Sequence, residues 1–429
     1  MFRFLYNTVF TIGFLLVWPH FFYRMWKRGQ VWRKIGERFS IYERGTIRKL
    51  ASFQEPLWIH AVSVGEIKMA IPLINEIRKK RPHQDVVLTT TTVTGRRIGE
   101  EIRDDHTLML YHPLDLCWCV RKAFRLIRPQ MLILVDQELW PNHLWEAKAS
   151  GVPVWVVNAR MSDRSMKRFR TFRGLLRPLL RELNLVCLQM NEDVERYRRA
   201  GFPPHRLFVT GSLKFDVGLQ PGESEMIKEL REQTSWSANE LILLAGSTHS
   251  GEEKILIEQF CRMKPQYPDL RLVLVPRHVE RTPEIVELVE NAGLSYIRRT
   301  DVVHSGSTPD VFIVNTTGEL AHLYHFADIN FIGKSLCGKG GQNFIEAARA
   351  GKPVLFGPEM SNFRDLLRLF KAADAILQIK DEDELETMIR ELISSPAKRK
   401  KYGDAAAEVC QQHAGTKEKL SLMIAQALS

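Results

Sequence analysis

Short apolar runs that do not alternate in polarity are the strongest constraint in this sequence. In the first half they read LWIHAV (57–62), VVLTTTT (86–92), MLILV (131–135), VPVWVVN (152–158) and LVCLQ (185–189). Between them lie amphipathic stretches such as IKMAIPLINEIRKK (67–80). A strand that is apolar on both sides belongs to a sheet covered on both faces, which means parallel strands joined by crossover helices. The second half repeats the pattern with LILLAGS (241–247), LRLVLVPRH (270–278), INFIG (329–333) and PVLFG (353–357). The fold class is therefore α/β, with two tandem doubly wound, Rossmann-like domains that bind ligands at the carboxyl ends of their strands. A length of 429 residues suits two such cores. Gly218, Pro221 and Gly222 mark a linker, so the domains are expected at 27–216 and 217–429, with the active site in a cleft between them. A composition of 45% hydrophobic and 26% charged residues excludes wholesale disorder, collagen and coiled coil.

The charge is unevenly placed. Residues 1–216 hold 36 Lys and Arg against 20 Asp and Glu, a surplus of 16, while residues 217–429 hold 25 against 30, a deficit of 5. The first half should therefore meet something anionic: a membrane leaflet, a nucleic acid or a phosphorylated substrate. Residues 1–26 favour the membrane. The run from Phe4 through Tyr23 is uncharged and just long enough to cross about 30 Å of hydrocarbon. Tyr6, Trp18, Tyr23 and Trp26 suit the interfaces, and Lys27, Arg28, Arg33, Lys34 and Arg38 follow. These features predict an N-terminal membrane-anchor helix with the rest of the chain on the cytoplasmic side. Asn7, Pro19 and His20 weaken the span, and a helix lying in the interface is the second reading. No small-x-small cleavage site follows the run, which argues against a signal peptide.

Six scattered cysteines, with only Cys117 and Cys119 close together, match neither a disulfide framework nor zinc spacing. The segments that carry chemistry instead follow the strands. In HAVSVGE (60–66), Ser63 and Gly65 form a turn and Glu66 opens a helix. Glu66 is either a first-turn carboxylate complementing the helix dipole or a general base at the sheet edge, and spacing alone does not separate the two. In DQELWPN (136–142), Glu138 can orient a catalytic partner or stabilise positive charge, and Asn142 can be an N-cap. From Arg160 to Arg181 stand eight cations (Arg160, Arg164, Lys167, Arg168, Arg170, Arg173, Arg177, Arg181) and one acid, Asp163. So one-sided a run suggests anionic headgroups, and no stacking pattern or motif supports nucleic acid. Lys214 in GSLKFD (211–216) either faces a leaving phosphate or is an ordinary surface lysine.

In the second half AGSTHSGEE (245–253), VPRH (275–278), TTGEL (316–320) and GKGGQNFIEAARAGKP (338–353) occupy equivalent positions. Gly338, Gly340 and Gly341 admit close backbone approach, and a helix starting at Gln342–Asn343 would favour phosphate. The glycine spacing matches neither a Walker A loop nor the dinucleotide fingerprint. Glu346 is placed to reach ribose hydroxyls and Arg277 to neutralise a phosphate or carboxylate. Asp381-Glu382-Asp383 reads as a helix-capping run rather than a metal motif.

Taken in order, WIHAVSVGE, ELWPN, NARMSDRS, SLKFD, AGSTHSGEE, VPRH, GEL and GGQNFIEAA resemble the 3-deoxy-D-manno-octulosonic acid (Kdo) transferases of Gram-negative lipopolysaccharide synthesis, membrane-associated glycosyltransferases of the GT-B fold. The resemblance implies that Glu66 is the catalytic base and that Glu138 and Lys214 stabilise the transition state. It implies a pocket for the donor CMP-Kdo built from Pro276, Arg277, Thr317, Gly318, Glu319, Asn343, Phe344, Ile345 and Glu346. The acceptor it implies is a lipid A precursor, the tetraacyl glucosamine disaccharide bisphosphate, bound by residues 27–216, with anionic inner-membrane lipids as further partners and no nucleic acid. No cofactor is implied. A leaving group with a single phosphate can be neutralised by lysine, arginine and a helix N-terminus without a metal. Two departures stand out: Asp136–Gln137 replaces a Glu-Thr pair, and Gln342–Glu346 replaces His-Asn-Pro-Leu-Glu. The alternatives are another membrane-associated GT-B transferase with a different donor or acceptor, and a tethered anionic-lipid or nucleic-acid binder without catalysis.

Overall fold

The computed structural model describes residues 2–27, 34–102, 104–136, 138–217, 223–301 and 308–428. The expected linker residues Gly218, Pro221 and Gly222, and Gln137 of the DQELWPN segment, lie outside them. The chain forms two compact units, Met1–Val217 with Ala414–Ser429, and Gly218–His413.

The first unit holds seven parallel strands: β1 (Leu57–His60), β2 (Val86–Thr90), β3 (Thr107–Tyr111), β4 (Met131–Val135), β5 (Val154–Ala159), β6 (Leu185–Leu188) and β7 (Leu207–Val209). Their order is β3-β2-β1-β4-β5-β6-β7, doubly wound about β1 and β4. Successive side chains of a strand point to opposite faces. In β1 both faces are buried: Trp58 joins the core under the helix Cys117–Ile127, and Leu57 and Ile59 join the core under Val64–Lys80. Continuous apolar runs therefore become strands without alternation.

The second unit repeats the design with β8 (Leu241–Thr248), β9 (Leu270–Pro276), β10 (Tyr296–Arg298), β11 (Val311–Ile313), β12 (Ile329–Ile332), β13 (Val354–Phe356) and β14 (Leu377–Gln378). The order is β10-β11-β9-β8-β12-β13-β14, again all parallel. The expected strands are present. Five more (β3, β7, β10, β11, β14) had no expectation, and all but β3 are only two or three residues long.

The last residues do not belong to the second unit, as the expected 217–429 boundary would have it. Helix Thr416–Ala427 packs Leu420 and Ile424 into the same core as Ile67, Leu73 and Ile77. Asp216 caps its start, accepting from the Gly415 and Lys417 backbone N–H groups at 2.7 Å each. Gly211, at φ +105°, lies against the Thr416 hydroxyl where a Cβ would collide.

The N-terminal helix spans Phe2–Lys27 with Pro19 inside it. The expectation of a membrane-crossing anchor needs correcting: among the described residues no helix is long and apolar enough to cross a membrane. One stripe of this helix is committed to protein. Tyr6, Phe10 and Phe14, four residues apart, meet Trp145, Trp140 and Phe39 edge to face at 5.6, 6.3 and 6.3 Å. Tyr6 also donates its hydroxyl to Asp115 at 2.7 Å. Asn7, which weakens a span, accepts from the Asn142 side chain at 2.8 Å. Away from that stripe Phe4, Leu5, Val9, Ile12, Leu15, Leu16 and Val17 are exposed.

Candidate active site

In the first unit the functional segments converge at the carboxyl edge of the sheet. After β1 the chain turns at Ser63, the N-cap of helix Val64–Lys80. The Ser63 hydroxyl donates to Glu66 Oε1 at 2.9 Å, and the Val62 N–H donates to Glu66 Oε2 at 2.7 Å. The Glu66 N–H donates back to the Ser63 hydroxyl at 3.4 Å. This is a variant of the capping box in which the carboxylate reaches the N–H of Val62, before the N-cap, and is turned back over the strand end. Burial raises the Glu66 pKa to about 7, and the charges of Asp136 and then Glu138 add to the rise, against the two hydrogen bonds. The capping reading of Glu66 and the proton-accepting reading are thus compatible, because the cap fixes a carboxyl that titrates near neutrality.

Glu138 follows β4, half-buried, and accepts from the Trp140 indole N–H at 2.7 Å. Burial raises its pKa, and that hydrogen bond opposes the rise. Asn142 is not the N-cap considered from sequence. Trp140 occupies that position before Pro141, and Asn142 sits in the first turn. Asp115 caps the helix from outside, accepting from the Asn142 and His143 N–H groups at 3.1 and 3.2 Å.

Lys214 lies in a short 3-10 turn, Leu213–Phe215. Burial lowers its pKa, while the charges of Asp136 and Glu66 raise it and that of Arg160 lowers it. Glu66, Asp136, Glu138, Arg160 and Lys214 therefore form one electrostatic group, and the three residues expected to be catalytic stand together in it.

Asn158, the first residue of NARMSDRS, joins members of this group although the sequence pattern alone points to no role for it. Asn158, buried in β5 at φ +58°, donates to Asp136 Oδ1 at 2.6 Å. Its Oδ1 accepts from the Leu213 N–H at 3.0 Å and the Ser212 hydroxyl at 3.3 Å, which fixes the turn carrying Lys214. Asparagine tolerates the left-handed conformation better than other side chains of its size.

The second unit also gathers its expected residues at strand ends. Pro276 closes β9, and exposed Arg277 follows, its N–H bonded to Thr248 O at 3.0 Å. Thr317 and Gly318 are exposed after β11. Glu319 accepts from Arg299 at 3.2 Å and from the Thr316 hydroxyl at 2.6 Å. Asn343 and Glu346 are half-buried, whereas the Phe344 and Ile345 side chains are fully buried, Phe344 packing on Phe356, Phe363 and Phe370. Phe344 and Ile345 thus offer a ligand only backbone. The helix starts at Ile345, not at Gln342–Asn343, and has only five residues. Gly340 and Gly341 adopt positive φ, and a Cβ on either would run into Asn362 or Met360, so backbone conformation and packing already demand glycine here. Glu252 of AGSTHSGEE is a buried anchor. It accepts from the N–H groups of His249, Lys334, Ser335 and Leu336 at 2.7 to 2.9 Å, holding the loops after β8 and β12 together.

No group of three or more His, Cys, Asp or Glu able to hold a metal occurs among the described residues. The capping run is as expected: Asp381 accepts from the Glu384 N–H at 2.9 Å at the start of helix Glu382–Ser394. The basic run contributes to a cavity of about 680 Å³ lined by Arg173, Arg177, Arg181, Arg198, Arg199 and Arg206, with Glu195 the single acid in its lining.

Residues 33–217 match the family model described as 3-deoxy-D-manno-octulosonic-acid transferase (kdotransferase). A 3-deoxy-D-manno-octulosonic acid transferase of Bordetella pertussis is 33% identical, over 95% of this chain and 96% of that protein. Its counterpart in Haemophilus influenzae is 30% identical, over 98% and 97%. This chain belongs to the Kdo transferase family. It is accordingly a glycosyltransferase. UDP-GlcNAc 2-epimerase from Neisseria meningitidis shares the fold alone, at 15% identity and a TM-score of 0.61 over 88% of this chain and the whole of that one. Within the Kdo transferase, the segments shared by the sequence resemblance are those that build the two strand-end clusters.

Proposed function

We propose that this Kdo transferase moves Kdo from CMP-Kdo to a lipid A precursor, with Glu66 as general base and no metal. The observation that carries the reading is the Glu66 carboxyl itself: fixed by Ser63 and Val62 at the sheet's carboxyl edge and titrating near 7. A base with a pKa near the working pH has the best combination of ionised fraction and proton affinity. As the anomeric carbon becomes oxocarbenium-like, Glu66 takes the proton of the attacking sugar hydroxyl. Glu138 offers negative charge to the developing cation, and Lys214 offers positive charge to the phosphate side. In the second unit Arg277, Glu319, Asn343 and Glu346 supply the polar groups for the CMP part, with the Phe344 amide as a backbone donor; the Ile345 N–H is engaged by Asn343 Oδ1 at 3.4 Å.

The acceptor's phosphates and acyl chains, and anionic lipids of the Gram-negative inner membrane, fit two features. The first is the exposed apolar face of the N-terminal helix, which supports a helix lying in the cytoplasmic interface. The second is the arginine-lined cavity. The test is transfer from CMP-Kdo, generated in situ, to the tetraacyl precursor, with products resolved by mass and with EDTA in a parallel reaction. A mass gain of one or more Kdo units, unchanged by EDTA, is expected. No gain and no CMP release would overturn the reading in favour of another lipid-directed transferase.

A further inference from the structure

We propose that Trp140 is a positioning residue for Glu138, and that helix Phe2–Lys27 is the part of the protein that holds Trp140 in place. This rests on the reading that Glu138 takes part in Kdo transfer.

Glu138 stands in the same electrostatic group as Glu66 and Asp136, and its half-buried carboxylate has given up part of its hydration, which a hydrogen bond must replace if the side chain is to stay in place. The Trp140 indole N–H supplies such a bond, donating to Oε2 at 2.7 Å. An indole N–H is a donor only, so it binds a carboxylate without offering an alternative arrangement.

Trp140 is in turn fixed from two directions. Its backbone precedes Pro141, which confines it to the extended region, and it sits at φ −97°, ψ 119°. Its ring meets the edge of Phe10 from the N-terminal helix at 6.3 Å. Phe10 is backed by Tyr6, stacked on it at 5.6 Å.

The contacts around this point repeat the connection. Asp115, which caps helix Pro141–Ala149, also accepts the Tyr6 hydroxyl, and Asn142 of that helix donates to Asn7. Tyr6, Asn7 and Phe10 thus all engage the segment directly after Glu138. A helix serving only to attach the enzyme to a bilayer needs none of these contacts. The N-terminal helix instead completes the wall behind a catalytic carboxylate, so its removal should damage turnover even where no bilayer is present.

The test uses the full chain and a detergent-dissolved acceptor, so that bilayer attachment plays no part. Trp140→Phe keeps an aromatic ring against Phe10 but removes the indole N–H together with part of the ring's bulk. It should lower kcat by about tenfold, the value of one hydrogen bond to a charged group, with both KM values within about twofold of wild type. Phe10→Ala should lower kcat in the same way, and Phe10→Leu should restore most of it. The deciding measurement is the double variant Trp140→Phe with Glu138→Gln. If Trp140 acts through Glu138, Trp140→Phe adds little once Glu138 is replaced by Gln, whereas independent effects would multiply. Multiplying effects, or a Trp140→Phe kcat within about twofold of wild type, overturn the inference. Failure of the wild-type enzyme to make any Kdo product would instead overturn the functional reading on which it rests.

Discussion

Ser63 and Glu66 satisfy each other: the serine hydroxyl donates to Glu66 Oε1 at 2.9 Å, and the Glu66 N–H donates back to that hydroxyl at 3.4 Å. A residue that would otherwise be an ordinary helix cap is thereby held rigid beside two other carboxylates. Glu66→Gln preserves the shape and much of the capping but cannot accept a proton. It should reduce transfer by at least about 100-fold while CMP-Kdo still binds, checked by turnover and by calorimetric titration of the donor. Activity within a few fold of wild type would remove Glu66 from the base role.

The same carboxyl predicts a pH dependence with a definite sign. The base must be ionised, so kcat/KM should rise with pH through about 7, where the raised Glu66 pKa lies. Stability should move the other way. A pKa lifted by folding means that the folded state binds more protons than the unfolded one between the ordinary glutamate value and about 7. Glu66 therefore lowers stability as pH rises through that window, and Glu66→Gln should flatten the dependence. Melting temperatures of the two proteins measured from about pH 5 to 8 check this, and parallel curves would contradict it.

Asn158 joins two loops through one buried side chain, linking Asp136 to the turn that carries Lys214. Replacing it with Ala leaves the Leu213 N–H and Asp136 without their partner. A cost of about 1–3 kcal/mol in urea unfolding is expected, together with a loss of turnover comparable to that of Lys214→Ala. If Asn158→Ala lowers stability but leaves turnover intact, the asparagine supports the fold and not the catalytic arrangement.

How far the sequence exposes these features depends on how local their cause is. The place of Glu66 at the strand end was legible because strand end, turn and helix start all lie within HAVSVGE, and β4 because MLILV is an unbroken apolar run. Asn158 was not legible as a junction, since its partners are Asp136, 22 positions away, and Leu213, 55 positions away. The strands β10 and β14 were missed because their three and two residues carry no continuous apolar signal. The N-terminal run misled for a different reason. An apolar helix docked along one stripe and a helix surrounded by lipid have nearly the same composition. The distinguishing clue was Asn7, on the same side as Tyr6 and Phe10, whose partner Asn142 is far away in sequence.

Asp216 closes the first unit by capping a helix from the far end of the chain. Asp216→Ala removes both hydrogen bonds at that N-terminus and should cost about 1–2 kcal/mol, as loss of a cap does. Because the capped helix packs Leu420 and Ile424 against the core of helix Val64–Lys80, which begins beside Glu66, the effect should appear as faster amide exchange in 416–427. Unchanged exchange there would show that apolar packing alone holds the helix.

Arg168, Arg170 and Arg173 are exposed on the basic helices, and Arg173 also lines the arginine cavity. A cation near an anionic leaflet contributes about 1 kcal/mol to binding, and reversing its sign removes that attraction and adds repulsion. Changing all three to Glu should therefore weaken association with vesicles containing phosphatidylglycerol by well over about tenfold at physiological salt. The proposed donor site lies on segments of the second unit, so CMP-Kdo affinity should be unaffected. Sedimentation with vesicles and donor titration on the same protein separate the two. Equal losses in both would indicate a folding defect, and unchanged vesicle binding would remove the basic helices from the membrane-facing role, leaving the apolar face of the N-terminal helix to carry it alone.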